Sequence, residues 1–264
     1  MIIYAGSLLD CIFIIFIDEK DIKLMVKKGI EVCFSPALYD KFHNKESIVV
    51  IIDILRATSA ICTAFMNGVK TIIPVETLEE AEYYKSKGYL VAAERDGIVK
   101  SFADFGNSPF NFSAEKVNGK EIVYSTTNGT RSIHMAKESY KIVIGSYLNI
   151  DALSDWLIKE NRNIVLLCAG WKDKFNLEDT IFAGSLAEKL IFSGCFETNC
   201  DSAHAAIDLW SIAKKDLIGY IKKTAQRHRL KTNKLDDVID FCHLSNLTKI
   251  IPIWHDIRLI RAID

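Results

Sequence analysis

Residues 48–56 read Ile-Val-Val-Ile-Ile-Asp-Ile-Leu-Arg, an uncharged apolar run that ends on an acid and, three residues later, a base. Five β-branched side chains in a row fit a strand buried on both faces, as in the interior of a parallel sheet. Side chains just past the carboxyl end of such a strand line the ligand crevice of an open α/β sheet, which puts Asp53 and Arg56 where chemistry is expected. Other strand-like segments of the chain end on polar clusters in the same way.

The 264 residues, 49% hydrophobic and 25% charged, suffice to bury a full core. With 33 Lys and Arg against 34 Asp and Glu the net charge is −1. No global field therefore draws nucleic acid or anionic lipid, and any anion selectivity must be local. The seven cysteines, Cys11, Cys33, Cys62, Cys168, Cys195, Cys200 and Cys242, form no Cys-x-x-Cys pair. Several lie in apolar runs, so reduced thiols in a cytoplasmic protein are expected. The run Cys11–Ile17 is too short to span a bilayer and is followed by Asp18, Glu19 and Asp21, so it reads as neither signal peptide nor anchor.

Apolar segments of strand length alternate with amphipathic segments of helix length. Strands are expected near Glu31–Phe34, Ile48–Ile52, Thr71–Pro74, Leu90–Ala93, Glu121–Tyr124, Ile142–Ile144 and Ile164–Leu167. Helices are expected at Ala57–Asn67, Leu78–Lys87, Thr130–Glu138, Ile150–Glu160 and Leu177–Phe192. This rhythm predicts a three-layer α/β/α fold with a largely parallel or mixed sheet. Asp201–Cys242 reads as helical, and Ile250–Ile253 with Ile257–Ile260 as two closing strands. Residues 1–24 stand apart as an N-terminal extension, either an extra edge element or the product of an upstream start. Residues 25–264 form one α/β unit, open to division into two lobes; no repeat or Pro/Gly-rich linker interrupts it.

Three clusters carry chemistry. In Asp53-Ile-Leu-Arg56-Ala-Thr58, Arg56 offers a planar fork of donors for an oxyanion, helped by the N–H groups of the helix start, and Asp53 is a hard oxygen ligand suited to magnesium. A structural Asp–Arg pair with Thr58 as a cap explains the same residues. Thr126-Thr127-Asn128-Gly129-Thr130 combines hydroxyls, a flexible glycine and a helix start into an anion cradle, although Asn-Gly is first of all a turn signal. Cys168-Ala-Gly170 ends a strand, and Glu178-Asp179 opens the next helix, either to complement its dipole or to complete a magnesium site with Asp53. Cys168 lacks the arginine that a cysteine phosphatase requires after five intervening residues, Lys174 standing there instead, and Asp53 lacks the second acid of an aspartyl-phosphate enzyme. Glu94-Arg95-Asp96-Gly97 and Gly106-Asn107-Ser108-Pro109 read locally as turns. The histidines show no pairing that suggests zinc.

These segments resemble, in order and approximate spacing, the motifs of the 2-phosphosulfolactate phosphatase family. Phe34-Ser-Pro36, Ala183-Gly184, Asp237 with Phe241-Cys242, and Ile251-Pro252 extend the likeness from about Lys28 to Ile260. The resemblance implies a magnesium-dependent phosphomonoesterase that converts 2-phospho-3-sulfolactate to sulfolactate on a route to coenzyme M. On that reading Asp53, Arg56, Glu94 and Glu178 are the catalytic set, and Asp53, Glu178 and Asp179 hold Mg2+. Arg56, Thr58, Asn107, Ser108, Thr126, Thr127, Asn128, Gly129, Thr130 and Gly170 bind substrate. Asp53 and Glu94 are the candidates for activating water. Ala225-Gln-Arg-His-Arg229 departs from the pattern and is assigned no substrate contact. The expected partner is a small, multiply anionic phosphoester, with no nucleic acid or membrane, and apolar edge strands allow a homodimer. A phosphatase of the same fold for another small phosphoester, and a non-catalytic binder of anionic metabolites, are the alternatives.

Overall fold

A computed structural model of the chain describes residues 27–262 and, ahead of them, the backbone of 5–8 and 11–14. The elements are, in chain order, β1 (Ala5–Leu8), β2 (Cys11–Ile14), β3 (Lys28–Cys33), β4 (Ile48–Ile52), α1 (Ala57–Met66), β5 (Thr71–Pro74), α2 (Leu78–Ser86), β6 (Leu90–Arg95) and β7 (Ile98–Val99). There follow α3 (Ala114–Val117), β8 (Glu121–Ser125), α4 (Gly129–Met135), β9 (Lys141–Gly145), α5 (Ile150–Glu160), β10 (Ile164–Cys168), α6 (Leu177–Phe192) and β11 (Phe196–Glu197). The chain closes with α7 (Asp201–Ala213), α8 (Leu217–Ile221), α9 (Ala225–Thr232), α10 (Ile239–Cys242), β12 (Pro252–His255) and β13 (Arg258–Arg261).

Strands β1 and β2 pair antiparallel with each other in a sheet of their own. The rest of the expected extension lies outside the described residues. The main sheet has 11 strands in the order β11-β3-β10-β4-β9-β12-β13-β5-β8-β6-β7. Strands β11, β3, β10, β4 and β9 form one parallel half and β5, β8 and β6 another. The antiparallel hairpin β12–β13 stands between them. The sheet is therefore mixed, and the hairpin joins two halves where the sequence suggested only a closure.

Side-chain alternation on β4 explains the layers. Ile48, Val50 and Ile52 face a cluster with Leu153 of α5, Phe182 and Leu186 of α6, and Ala203 of α7. Val49 and Ile51 face a second cluster with Ala60, Ile61 and Phe65 of α1. Every β4 residue is fully buried, each worth about 1.5–3 kcal/mol relative to exposure. The second cluster also contains Ile72 of β5, Ala92 of β6, and Ile122 and Tyr124 of β8, so α1 is shared by both halves of the sheet. Residues Ala57–Phe65 are all buried, as a helix apolar all round its circumference requires. The hairpin meets β9 and β5 through one register pair each, Ile253 with Val143 and Leu259 with Ile72. So thin a joint leaves the halves free to fold toward one another around α1. Loops from the carboxyl ends of β4, β10, β6 and β8 consequently meet near its amino end.

Candidate active site

The loops enclose a cleft of about 260 Å³, small among ligand sites, lined by acids, bases and amides. Asp53 and Arg56 leave β4 on its floor, Glu94 and Asn107 come from the other half, Thr127 and Asn128 follow β8, and Gly170 follows β10. Seven residues expected from sequence are thus brought together across both halves of the sheet.

Asp53 braces the turn that leads into α1, whose N-cap position is Arg56. The Asp53 carbonyl accepts from Thr58 N at 2.9 Å, its Oδ1 from Ala57 N at 3.4 Å, and its own N–H donates to Thr58 Oγ1 at 3.1 Å. The free helix-start donors expected beside Arg56 are therefore engaged by Asp53, and Thr58 is fully buried outside the cleft. Arg56 is 4% exposed and lines the cleft, yet its guanidinium forms no ion pair or hydrogen bond among the described residues. A buried, unpaired guanidinium is costly, and an anionic ligand would satisfy it.

Glu94 clamps the loop after β8. Its Oε1 accepts from Thr127 N at 3.0 Å and Thr127 Oγ1 at 3.3 Å, and its Oε2 accepts from Gly97 N at 2.6 Å. Thr126 and Thr130 exchange bonds, each hydroxyl accepting the other's N–H at 3.3 Å. They brace the cradle from outside the cleft, while the N–H groups of Asn128 and Gly129 have no partner among the described residues. Gly129 sits where only glycine fits, because a Cβ there would lie 2.8 Å from Ala57 Cβ and 3.2 Å from Asp53 Oδ2. Ser108 is half-buried outside the cleft, at the start of the turn Pro109–Asn111. Asn107 lines the cleft with its buried Oδ1 unpartnered.

The two acids that open α6 differ in surroundings. Asp179 is fully buried; its Oδ1 accepts from Ile54 N at 2.9 Å, and its Oδ2 from Gly170 N at 3.3 Å and Asn176 Nδ2 at 3.4 Å. It ties the β4 and β10 loops to α6. Glu178 is 1% exposed, and neither carboxylate oxygen has a hydrogen-bond partner. Burial first, and then neighbouring charge, pushes all three acids up. Asp53 rises to about 7 and Glu178 to about 7, with Asp53 and Glu94, and Asp53 and Glu178, repelling one another. Asp179 rises by burial and the charges of Asp53 and Glu178. This is a buried surplus of negative charge beside two orphaned hard oxygens, an environment that a divalent cation would relieve. Among the described residues no three His, Cys, Asp or Glu side chains already form a metal cage. Asp53 lines the cleft, whereas Glu178 and Asp179 lie behind its lining; one or two carboxylates of this kind, with water and substrate oxygens completing the shell, are the donors that magnesium takes.

Residues without a sequence assignment complete the cleft: Trp171, Lys172 and Asn176 after β10, and Gln226, Arg229 and Leu230 on α9. Arg229 Cζ lies 4.3 Å from the centre of the Trp171 ring, and Lys172 Nζ pairs with Asp96 at 3.0 Å. The departure from pattern at 225–229 therefore does carry cleft residues. Three bases and no acid in Ala225–Thr232 were the available signal. Cys168 is fully buried and its thiol is held well above the ordinary range by burial, which leaves it inert. No described helix is long and apolar enough to cross a membrane.

Comparison with known proteins agrees with this geometry. Residues 33–256 match the family model described as 2-phosphosulpholactate phosphatase. A protein of Thermotoga maritima described as a probable 2-phosphosulfolactate phosphatase is 37% identical over 203 residues, 77% of this chain and 87% of its own. One from Caldanaerobacter subterraneus with the same description is 35% identical over 212 residues, 79% of this chain and 88% of its own. A third, from Pseudothermotoga lettingae, is 32% identical over 233 residues and is covered over 98% of its length. With the match running from β3 through β12 and taking in every strand-end loop of the cleft, the chain belongs to the 2-phosphosulfolactate phosphatase family.

Proposed function

We propose that the chain is a phosphoric monoester hydrolase that converts 2-phospho-3-sulfolactate to 3-sulfolactate and phosphate with the help of magnesium, on a route to coenzyme M. The observation that carries this reading is the buried Arg56 guanidinium, unpaired among the described residues, beside Asp53 in a cleft of about 260 Å³. Cation and carboxylate together are what phosphoryl transfer requires, whereas a pure anion binder gains nothing from buried acids that repel its ligand. Membership of the family and the description of its relatives supply the substrate.

Asp53 and Glu178 would hold the ion, with Asp179 fixing the loops that present them. Bound there, magnesium would supply positive charge to the phosphoryl oxygens and acidify a water molecule. Arg56 binds the equatorial oxygens, where charge spreads in the transition state, and its burial makes that interaction stronger than it would be in water. The N–H groups of Asn128 and Gly129 add donors in fixed positions. Asp53 and Glu94, acids that face the cleft, are the candidates to take a proton from the attacking water.

Phosphate release from 2-phospho-3-sulfolactate and a panel of small phosphoesters, with magnesium or with EDTA, tests this reading. Release that prefers the sulfonated ester and stops in EDTA is expected. Binding of the ester without release from any substrate would make the protein an anion-binding module, and broad turnover without preference would move it to another phosphoester.

A further inference from the structure

The cleft contains three cations, and they are not equivalent. Arg56 stands at the reacting end, among the charges that act on Asp53. Lys172 has its ammonium 3.0 Å from Asp96. Arg229 remains. Its Nε donates to Gln226 Oε1 at 2.9 Å, and its terminal nitrogens have no hydrogen bond or ion pair among the described residues. Its Cζ lies over the Trp171 ring, 4.3 Å from the ring centre, within cation–π range. The Trp171 backbone is held in a tight turn, its amide donating to Lys174 O at 3.1 Å and its carbonyl accepting from Lys174 N at 3.0 Å.

The two unpaired guanidinia are tied together. Gln226 Nε2 donates to the carbonyl of Leu55 at 2.7 Å, and Leu55 is the residue before Arg56. A chain of two hydrogen bonds thus runs from Arg229 through Gln226 to the backbone that carries Arg56. It sets the spacing between two anion sites, one on β4's loop and one on α9. A ligand with a single anionic group leaves one of them unsatisfied, while one with two anionic groups satisfies both.

We infer that Arg229, beside the face of Trp171 and aligned by Gln226, is the specificity residue that takes the sulfonate, one of the two substrate anions that are not transferred, while Arg56 takes the phosphate and the carboxylate is left to the other donors of the cleft. The inference rests on the phosphatase reading above and extends it to a residue on which the strand-end motifs are silent. Arg229 also lies near Glu178, whose charge acts on it, and a role as counter-ion to that acid is the alternative to be separated.

The test compares 2-phospho-3-sulfolactate with 2-phospholactate, the same molecule without the sulfonate, on the full-length protein with magnesium. The unaltered protein should prefer the sulfonated ester in kcat/KM. Arg229→Ala should raise KM for that ester roughly tenfold to hundredfold, with a smaller change in kcat, and bring the ratio between the two substrates toward one. Arg229→Lys should recover part of the ratio, since it keeps the charge and loses the fork and the flat face. Gln226→Met, which removes the tie, should lower the ratio less than Arg229→Ala. Calorimetric titration with sulfolactate gives binding without turnover, and the affinity should be weakened by Arg229→Ala. Parallel loss of both substrates in every variant would assign Arg229 to the carboxylate that both esters carry or to Glu178, and would overturn the inference, as would an unaltered protein that ignores the sulfonate. Failure of the unaltered protein to release phosphate from either ester would overturn the phosphatase reading itself.

Discussion

Replacing Glu178 by Gln should stabilise the protein at alkaline pH when divalent cations are removed. The carboxyl is 1% exposed and its oxygens lack a hydrogen-bond partner among the described residues; burial first, and then repulsion from Asp53, pushes it from the ordinary 4.5 to about 7 against the opposing pull of Asn176 and Arg229. A folded-state value above the unfolded one means that the native protein binds more protons between those pH values. Stability therefore falls as pH rises from about 4.5 and levels off above about 7. The rise from 4.5 to about 7 corresponds to about 3 kcal/mol. Gln keeps the shape and carries no charge, so the variant should unfold about 3 kcal/mol harder than the unaltered protein at pH 8 in EDTA, and about equally at pH 4. Urea denaturation at both pH values measures this, with a rise in Tm of very roughly 5–10 °C as a second reading. Magnesium should stabilise the unaltered protein and have little effect on the variant. A Glu178→Gln protein less stable than the original at pH 8 in EDTA would mean that the carboxylate has a stabilising partner, and the argument for an uncompensated acid cluster would fail.

Three further outcomes follow from the cleft. Arg56→Ala should raise KM and lower kcat together, with kcat/KM down at least a hundredfold in a phosphate-release assay, because the residue meets the phosphoryl group in both ground and transition states. Asp53→Asn should cut kcat by roughly a hundredfold or more at saturating magnesium, while calorimetry shows the ion bound more weakly. Gly129→Ala places a methyl 2.8 Å from Ala57 Cβ and 3.2 Å from Asp53 Oδ2, so it should cost about 1–3 kcal/mol in urea unfolding and lower turnover by displacing Asp53.

Much of this architecture is legible in the chain because its patterns are strong. Strands Ile48–Ile52 and Thr71–Pro74 and helices Ile150–Glu160 and Leu177–Phe192 have the limits that their apolar runs predict. The two-residue strands Ile98–Val99 and Phe196–Glu197 are too short to have a period, and nothing local announces them. The closing pair lies a residue or two beyond its expected limits, at Pro252–His255 and Arg258–Arg261, and joins the middle of the sheet rather than its edge. Which strands a hairpin finds is fixed by distant packing around α1, which a local pattern does not encode.

The site follows the same division. Asp53, Arg56, Glu94, Asn107, Thr127, Asn128 and Gly170 follow strands or lie in the loops beyond them, and the rule that crevices form at carboxyl ends finds them. Thr58, Thr126 and Thr130 read as ligands from sequence, but buried loop backbone must be hydrogen-bonded, and their hydroxyls serve that need. Arg229 comes from a helix far along the chain, and only the fold brings it to the cleft.

Crystals soaked with magnesium and sulfolactate test the central claim most directly, because they show which acids touch the ion and which bases touch the anion. The account predicts one magnesium bound to Asp53 and Glu178, and the sulfonate on Arg229 with Arg56 left facing the position of the departed phosphate. A magnesium ion bound away from both acids, or sulfolactate seated outside this cleft, would contradict it.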